Sequence, residues 1–266
     1  MRTYTYNKND LREVPQGRKL PQSVERVIVD ASVTEIANNA FDGCTSLESI
    51  DIPEGVTTIG RLAFFDCTSL ESIVIPKGVT TIGYMAFLKC KSLASIVILK
   101  GVTTIGDFAF CNCTSLVSIE IPEGVTAIGE CAFRNCTSLQ SIVIPQGVTT
   151  IGECAFRNCT FLQSIVIPKG VTTIGKQAFD ECTSLESLQI PNSATIIGRK
   201  AFDECTSVTR ITNSGTSILY KESVIVCCQA FCQEHTHDFL WGFLAFVVIF
   251  IVASNEIPKG DTTSIA

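Results

Sequence analysis

The sequence predicts a repeat solenoid built from short parallel strands and tight turns, and three observations carry that expectation. Cysteine recurs at an interval of 23 residues, at Cys44, Cys67, Cys90, Cys113, Cys136, Cys159, Cys182 and Cys205. An Ala-Phe pair precedes each cysteine by the same step, from Ala40-Phe41 to Ala201-Phe202. Apolar residues two apart, such as Ile73/Ile75 and Ile96/Ile98, follow it. A fixed period of this size means that each unit is one supersecondary element, which stacks on its copies because it cannot bury its apolar face alone.

The paired column, Ile50/Ile52 through Leu188/Ile190 with Val27/Val29 as its first occupant, is mostly β-branched and alternates with period two. That pattern describes a short strand with one inward face. Pro53, Pro76, Pro122, Pro145, Pro168 and Pro191 close it, because proline lacks the N–H that a parallel ladder needs; Leu99 takes that slot in the fourth unit. Gly55, Gly78, Gly101, Gly124, Gly147 and Gly170 then turn the chain toward a second apolar pair, such as Val56 and Ile59. The segment from Ile-Gly through Ala-Phe to Cys is too short for more than one or two turns of helix and is expected to be a tight helical turn. A leucine column, Leu47 through Leu185 with Val208 last, leads into the next strand.

One unit read in full runs Leu70, Ile73, Ile75-Pro76, Gly78-Val79-Thr80, Ile82-Gly83, Ala86-Phe87 and Cys90. This pattern resembles the BspA-type leucine-rich repeats of bacterial surface proteins and several protist lineages, over about residues 20–213. The resemblance implies a curved, right-handed leucine-rich-repeat β-solenoid with short parallel strands, used for protein or surface recognition. It implies neither catalysis nor a cofactor.

The chain holds 14 cysteines. In a small secreted domain that number would suggest disulfides, but this chain is long enough for an ample core. Stacked strands stand about 4.7–4.9 Å apart, slightly beyond the roughly 3.5–4.5 Å between Cβ atoms that a disulfide prefers. A ladder of buried thiols, packing as small apolar groups, is the expectation. Cys131 and Cys154 form a second, shorter column, with Cys111 nearby, and are expected closer to solvent.

No catalytic constellation can be placed. His235 and His237 are the only histidines, and both lie outside the regular array. Ile128–Thr150 and Ile151–Thr173 differ only at Ser138 versus Phe161 and Gln146 versus Lys169, so these units carry nothing unique beyond those positions. No phosphate-cradling glycine loop appears. Net charge is -6 without a cluster of lysine or arginine, which argues against a nucleic-acid partner.

A protein partner remains. Between the paired apolar residues lies the outward residue of each strand, giving the column Asp51, Val74, Val97, Glu120, Val143, Val166, Gln189 and Thr212. Its valines suggest a recognition face; intrinsic β-propensity without a ligand accounts for them equally. A second strip beside the Ala-Phe turn passes from apolar Phe65 and Leu88 to basic Arg134 and Arg157. It ends at acidic Asp180-Glu181 and Asp203-Glu204, a calcium-binding edge or simply a solvated one. A specific recognition scaffold and a structural or adhesive surface coat are therefore the two function classes.

The ends depart from the array. Residues 1–19 are polar, expected to be irregular, and show no secretory signal after Met1; Pro21–Val29 resembles the second half of a unit and is expected to cap the stack. Residues 214–238 read as a degenerate repeat or linker, in which Val226–Phe231 echoes Ile174–Phe179. Cys227, Cys228, Cys232, His235 and His237 offer zinc-ligand types at a spacing that fits no standard finger. Within the hydrophobic segment 239–254, Phe239–Ala253 carries no charge. As a helix at about 1.5 Å per residue it is short of the roughly 30 Å hydrocarbon core. It reads as a C-terminal hydrophobic helix anchoring the chain to membrane, as a cap packed on the solenoid, or as unrelated sequence interrupting the array. The anchor reading leaves the repeats on the cytoplasmic side. In the polar tail 255–266, Ile257–Thr263 copies Ile167–Thr173 with one change.

Overall fold

A computed structural model describes residues 2–8, 10, 22–213 and 216–219. Each 23-residue unit makes one turn of a parallel β-solenoid, placing one longer and one two-residue strand on different stretches of the turn. The two-residue strands form an 8-stranded sheet, from Glu35–Ile36 through Thr58–Ile59 and Thr81–Ile82 to Ile196–Ile197. Partners are one period apart, as in Thr58↔Thr81 and Ile59↔Ile82.

The longer strands, from Arg26–Val29 to Arg210–Asn213, form parallel ladders in the same register, for example Ile73↔Ile96 and Val74↔Val97. Register is tightly specified here, because a one-residue slip would send every Ile to solvent. Ladder pairing is interrupted between Ser49–Asp51 and Ser72–Ile75, and again between Ser141–Val143 and Ser164–Val166. Where Leu99 replaces proline, its N–H donates to Ile75 O at 3.0 Å, a bond that proline cannot make.

The segment from Ile-Gly to Cys corrects the expected helical turn. In the second unit Ala63, Phe65 and Cys67 donate to Gly60, Leu62 and Phe64, three residues back, while Leu62, Phe64 and Asp66 donate to Tyr84, Ala86 and Leu88 of the next turn. Leu62 and Asp66 lie at φ 55 and 57, in the left-handed region. A helix commits its N–H groups to its own chain four residues back. Here every second one bonds the neighbouring turn, so the segment is a run of tight turns stitched to the stack.

Close stacking also decides where glycine is required. A Cβ on Gly83 would sit 2.7 Å from Gly60 C, and one on Gly152 would sit 2.7 Å from Gly129 C. The first unit carries Ala37 at this place.

The core is a bundle of columns. Phe41 through Phe179 are fully buried, and the rings from Phe41 to Phe202 stack with centroids 5.0–5.4 Å apart and interplanar angles of 3–16°. The Leu and Cys columns flank them, also buried.

Both ends of the longer-strand ladder are dressed by chain outside the repeat pattern. Thr3–Tyr6, within the segment expected to be irregular, is a strand in parallel register with Arg26–Val29, and its Tyr6 ring covers Phe41 at 5.2 Å. At the other end Thr216–Leu219 pairs antiparallel with Arg210–Asn213. Among the described residues no helix is long and apolar enough to cross a membrane. The expected hydrophobic helix over Phe239–Ala253, the echo at Val226–Phe231 and the five candidate zinc ligands lie outside the described residues.

Candidate interaction face

The longer strands carry the outward column one residue per turn, in three laddered runs. Ile28↔Asp51, Val74↔Val97, Glu120↔Val143 and Val166↔Gln189 are register partners. Thr212 lies opposite Gln189 in the last of these ladders. Val74, Val97, Val143 and Val166 are 53%, 46%, 59% and 66% exposed, and Asp51, Glu120 and Gln189 are exposed as well. Strand alternation explains the division: Ile73 and Ile75 turn inward and are buried while Val74 faces out.

Sequence reasoning missed part of this face. Ile28, 40% exposed, extends the column by one turn. The alternation Val27/Val29 was the signal, since the residue between two buried ones must point outward. Leu99, Val117 and Phe161 add exposed apolar surface. Phe161 is one of the two residues that separate the near-identical fifth and sixth units, and it lies shortly before the strand carrying Val166. At the N-terminal end Arg26 Nη2 pairs with Asp51 at 2.7 Å, and the adjoining edge holds a Lys77–Glu54 pair at 2.9 Å.

The cysteine column is buried as expected, and it does more than fill space. Cys67, Cys90, Cys113, Cys136, Cys159, Cys182 and Cys205 each donate Sγ–H to the backbone oxygen of a phenylalanine in the preceding turn, at 3.0–3.2 Å. Burial pushes these thiols up: Cys205 rises to about 12, and Cys67, Cys113, Cys159 and Cys182 stand well above the ordinary value. A thiol held protonated is a poor nucleophile and a poor metal ligand. Cys111, Cys131 and Cys154 were expected nearer solvent, and the structure corrects this. All three are buried, and burial raises Cys111 to about 11 and Cys131 to about 12. The close approach of neighbouring turns leaves small side chains at these positions little contact with water.

The charged strip is likewise less solvated than expected. Asp180 is buried, receiving Gln177 Nε2 at 2.7 Å and Arg157 Nε at 3.1 Å, while Arg157 Nη2 reaches Glu181 at 2.7 Å. The equivalent neighbour of Arg134 is Arg157 rather than an acid, and Arg134 Nε is buried without a hydrogen-bond partner. Asn112, Asn135 and Asn158 form an amide ladder, Asn135 Nδ2 donating to Asn112 Oδ1 at 2.9 Å and Asn158 Nδ2 to Asn135 Oδ1 at 3.0 Å. They sit at φ 59–61, a conformation that asparagine tolerates better than most residues. Among the described residues no group of three or more His, Cys, Asp or Glu is placed to hold a metal.

Against known proteins, the model of the BspA-type leucine rich repeat region matches residues 21–140 and 126–230, in six copies. Solved structures share the fold. A leucine-rich repeat protein from Bacteroides ovatus is 29% identical with a TM-score of 0.61, the match covering 72% of this chain and 56% of that one. One from Eubacterium ventriosum is 28% identical with a TM-score of 0.57, covering 61% and 45%. The T. pallidum leucine rich repeat protein is 29% identical with a TM-score of 0.52, covering 72% and 80%. The chain thus spans about half the length of the first two. No match was found among curated proteins. With the family model matching most of its length and the columns packed as a leucine-rich-repeat core, the chain belongs to the BspA-type leucine-rich repeat family.

Proposed function

We propose that this chain is a non-enzymatic protein-recognition scaffold, and that its binding face is the column Asp51, Val74, Val97, Glu120, Val143, Val166, Gln189 and Thr212. The observation that carries the reading is four exposed valines at the same outward strand position, Val74, Val97 and Val143 on one ladder and Val166 on the next. Contiguous exposed apolar surface commonly marks an interaction site. Family membership supports the broader statement, that the chain is a repeat-based recognition or adhesion scaffold. Replacing Val74, Val97, Val143 and Val166 with lysine in the full chain tests the face. Loss of capture of a specific partner is expected; capture equal to that of the parent protein would show that binding lies elsewhere.

An adhesive or coat role is the second reading, favoured by the near-identity of Ile128–Thr150 and Ile151–Thr173. It requires attachment that depends on the number of units and survives the valine substitutions. The uncharged run Phe239–Ala253 supports a C-terminal membrane tether for either role. Fractionating the full chain beside a version ending at residue 224 checks it, and equal recovery in the soluble fraction would remove the tether.

A further inference from the structure

The recognition face has a charge pattern that narrows its partner. Glu120 stands at the centre of the column, with Val97 and Val74 on one side and Val143 and Val166 on the other. It is exposed, and among the described residues no ion pair reaches it. The acid at the end of the column, Asp51, is by contrast already neutralised by Arg26. On the five central strands the row two residues before the column is Ser72, Ser95, Ser118, Ser141 and Ser164, so these supply no cation, whereas the first and last strands carry Arg26 and Arg210 there. Glu71 and Glu186 also stand exposed on the approaches to these strands. Exposed Lys77, Lys100 and Lys169 stand just past the ends of these strands, so the margins carry both signs, and the face is an apolar stripe with one unneutralised carboxylate at its middle.

Resting on the proposal that this column is the binding face, we propose that its partner is a protein segment bearing one arginine or lysine flanked by apolar side chains, with the cation on Glu120. An apolar segment covering the valines would strip water from that carboxylate, which is costly unless an opposite charge meets it. A cation at that point converts the cost into selectivity, while a carboxylate there would be rejected by like-charge repulsion.

The probe is a pair of labelled synthetic peptides of identical apolar sequence, one with a central arginine and one with a central glutamate, titrated by fluorescence anisotropy against the full-length chain. The arginine peptide is expected to bind at least ~10-fold more tightly, with Glu120→Gln narrowing the ratio to about 2-fold and Glu120→Lys inverting it. Glu120 is exposed, so circular dichroism should be unchanged in both variants. Equal binding of both peptides, abolished by Val143→Lys, would overturn the cationic partner and leave the recognition face standing. Binding unaffected by Val143→Lys and by Glu120→Lys would overturn both. Failure of the arginine peptide to bind overturns this partner class, and the valine variants then judge the face separately.

Discussion

The phenylalanine column and the valine column are generated by the same 23-residue period, yet one is invariant from Phe41 to Phe202 and the other changes identity at nearly every other turn. What each side chain meets explains the difference. A phenylalanine meets the phenylalanines above and below at 5.0–5.4 Å, so a change in one disturbs two neighbours. Val143 meets solvent, and a register neighbour such as Glu120 fits beside it without repacking. Periodicity is enforced where turns touch and free where they face water; the free positions are those available to a partner.

The sharpest way to break this contrast is through glycine. Gly152→Val would drive a Cβ into Gly129 C and is expected to destabilise the solenoid by about 3 kcal/mol or more, whereas Ala37→Gly should cost no more than ~1 kcal/mol. Comparable shifts of the two denaturation midpoints would refute the argument from turn contact. Next, Phe110→Ala in mid-stack should cost about 3–5 kcal/mol, against well under ~1 kcal/mol for Val143→Lys on the exposed column. Urea titration of both variants reads the difference directly.

A smaller effect is expected at the thiols. Cys113→Ala should lose about 1 kcal/mol from the Sγ–H bond to Phe87 O, more than Cys113→Ser, which keeps a donor. The buried thiols also fix a pH dependence. Their folded-state values are raised, so the stability they contribute is fully present below the unfolded cysteine value near 9. It declines as pH climbs from there toward about 12, where Cys205 ionises in the fold. Flat thermal stability between pH 8 and 11 would contradict it. Of similar size, Asn135→Ala, which interrupts the amide ladder on both sides, should cost about 1 kcal/mol, seen as a modest drop in melting temperature.

Much of this architecture was legible because side-chain columns are written directly in the sequence. Alternation gave the strands and their inward face, and the period gave the register. The turn segment was not legible in the same way, since the destination of an N–H is invisible in a sequence. Phe64 donating to Ala86 O rather than within its own turn is a property of the stack. For the same reason the cysteines read as inert filling until their bonds to phenylalanine carbonyls were seen. Thr3–Tyr6 escaped notice because four residues of Thr-Tyr alternation outside the period carry little signal. On the candidate face, exposure and alignment followed from alternation. Ile28 was passed over only because its turn is incomplete.

The glycine column bears on how such a chain changes length. A unit copied between Gly60 and Gly198 brings its own glycine for the turn before it and offers the turn after it the backbone surface that turn already fits. The twin segments Ile128–Thr150 and Ile151–Thr173 have the form expected of such a copy, inserted without repair at either junction. The unit holding Ala37 lacks that freedom, because its extra carbon would collide with any turn placed before it. Copying and loss of units are thereby easiest where the glycine column runs, from Gly60 to Gly198.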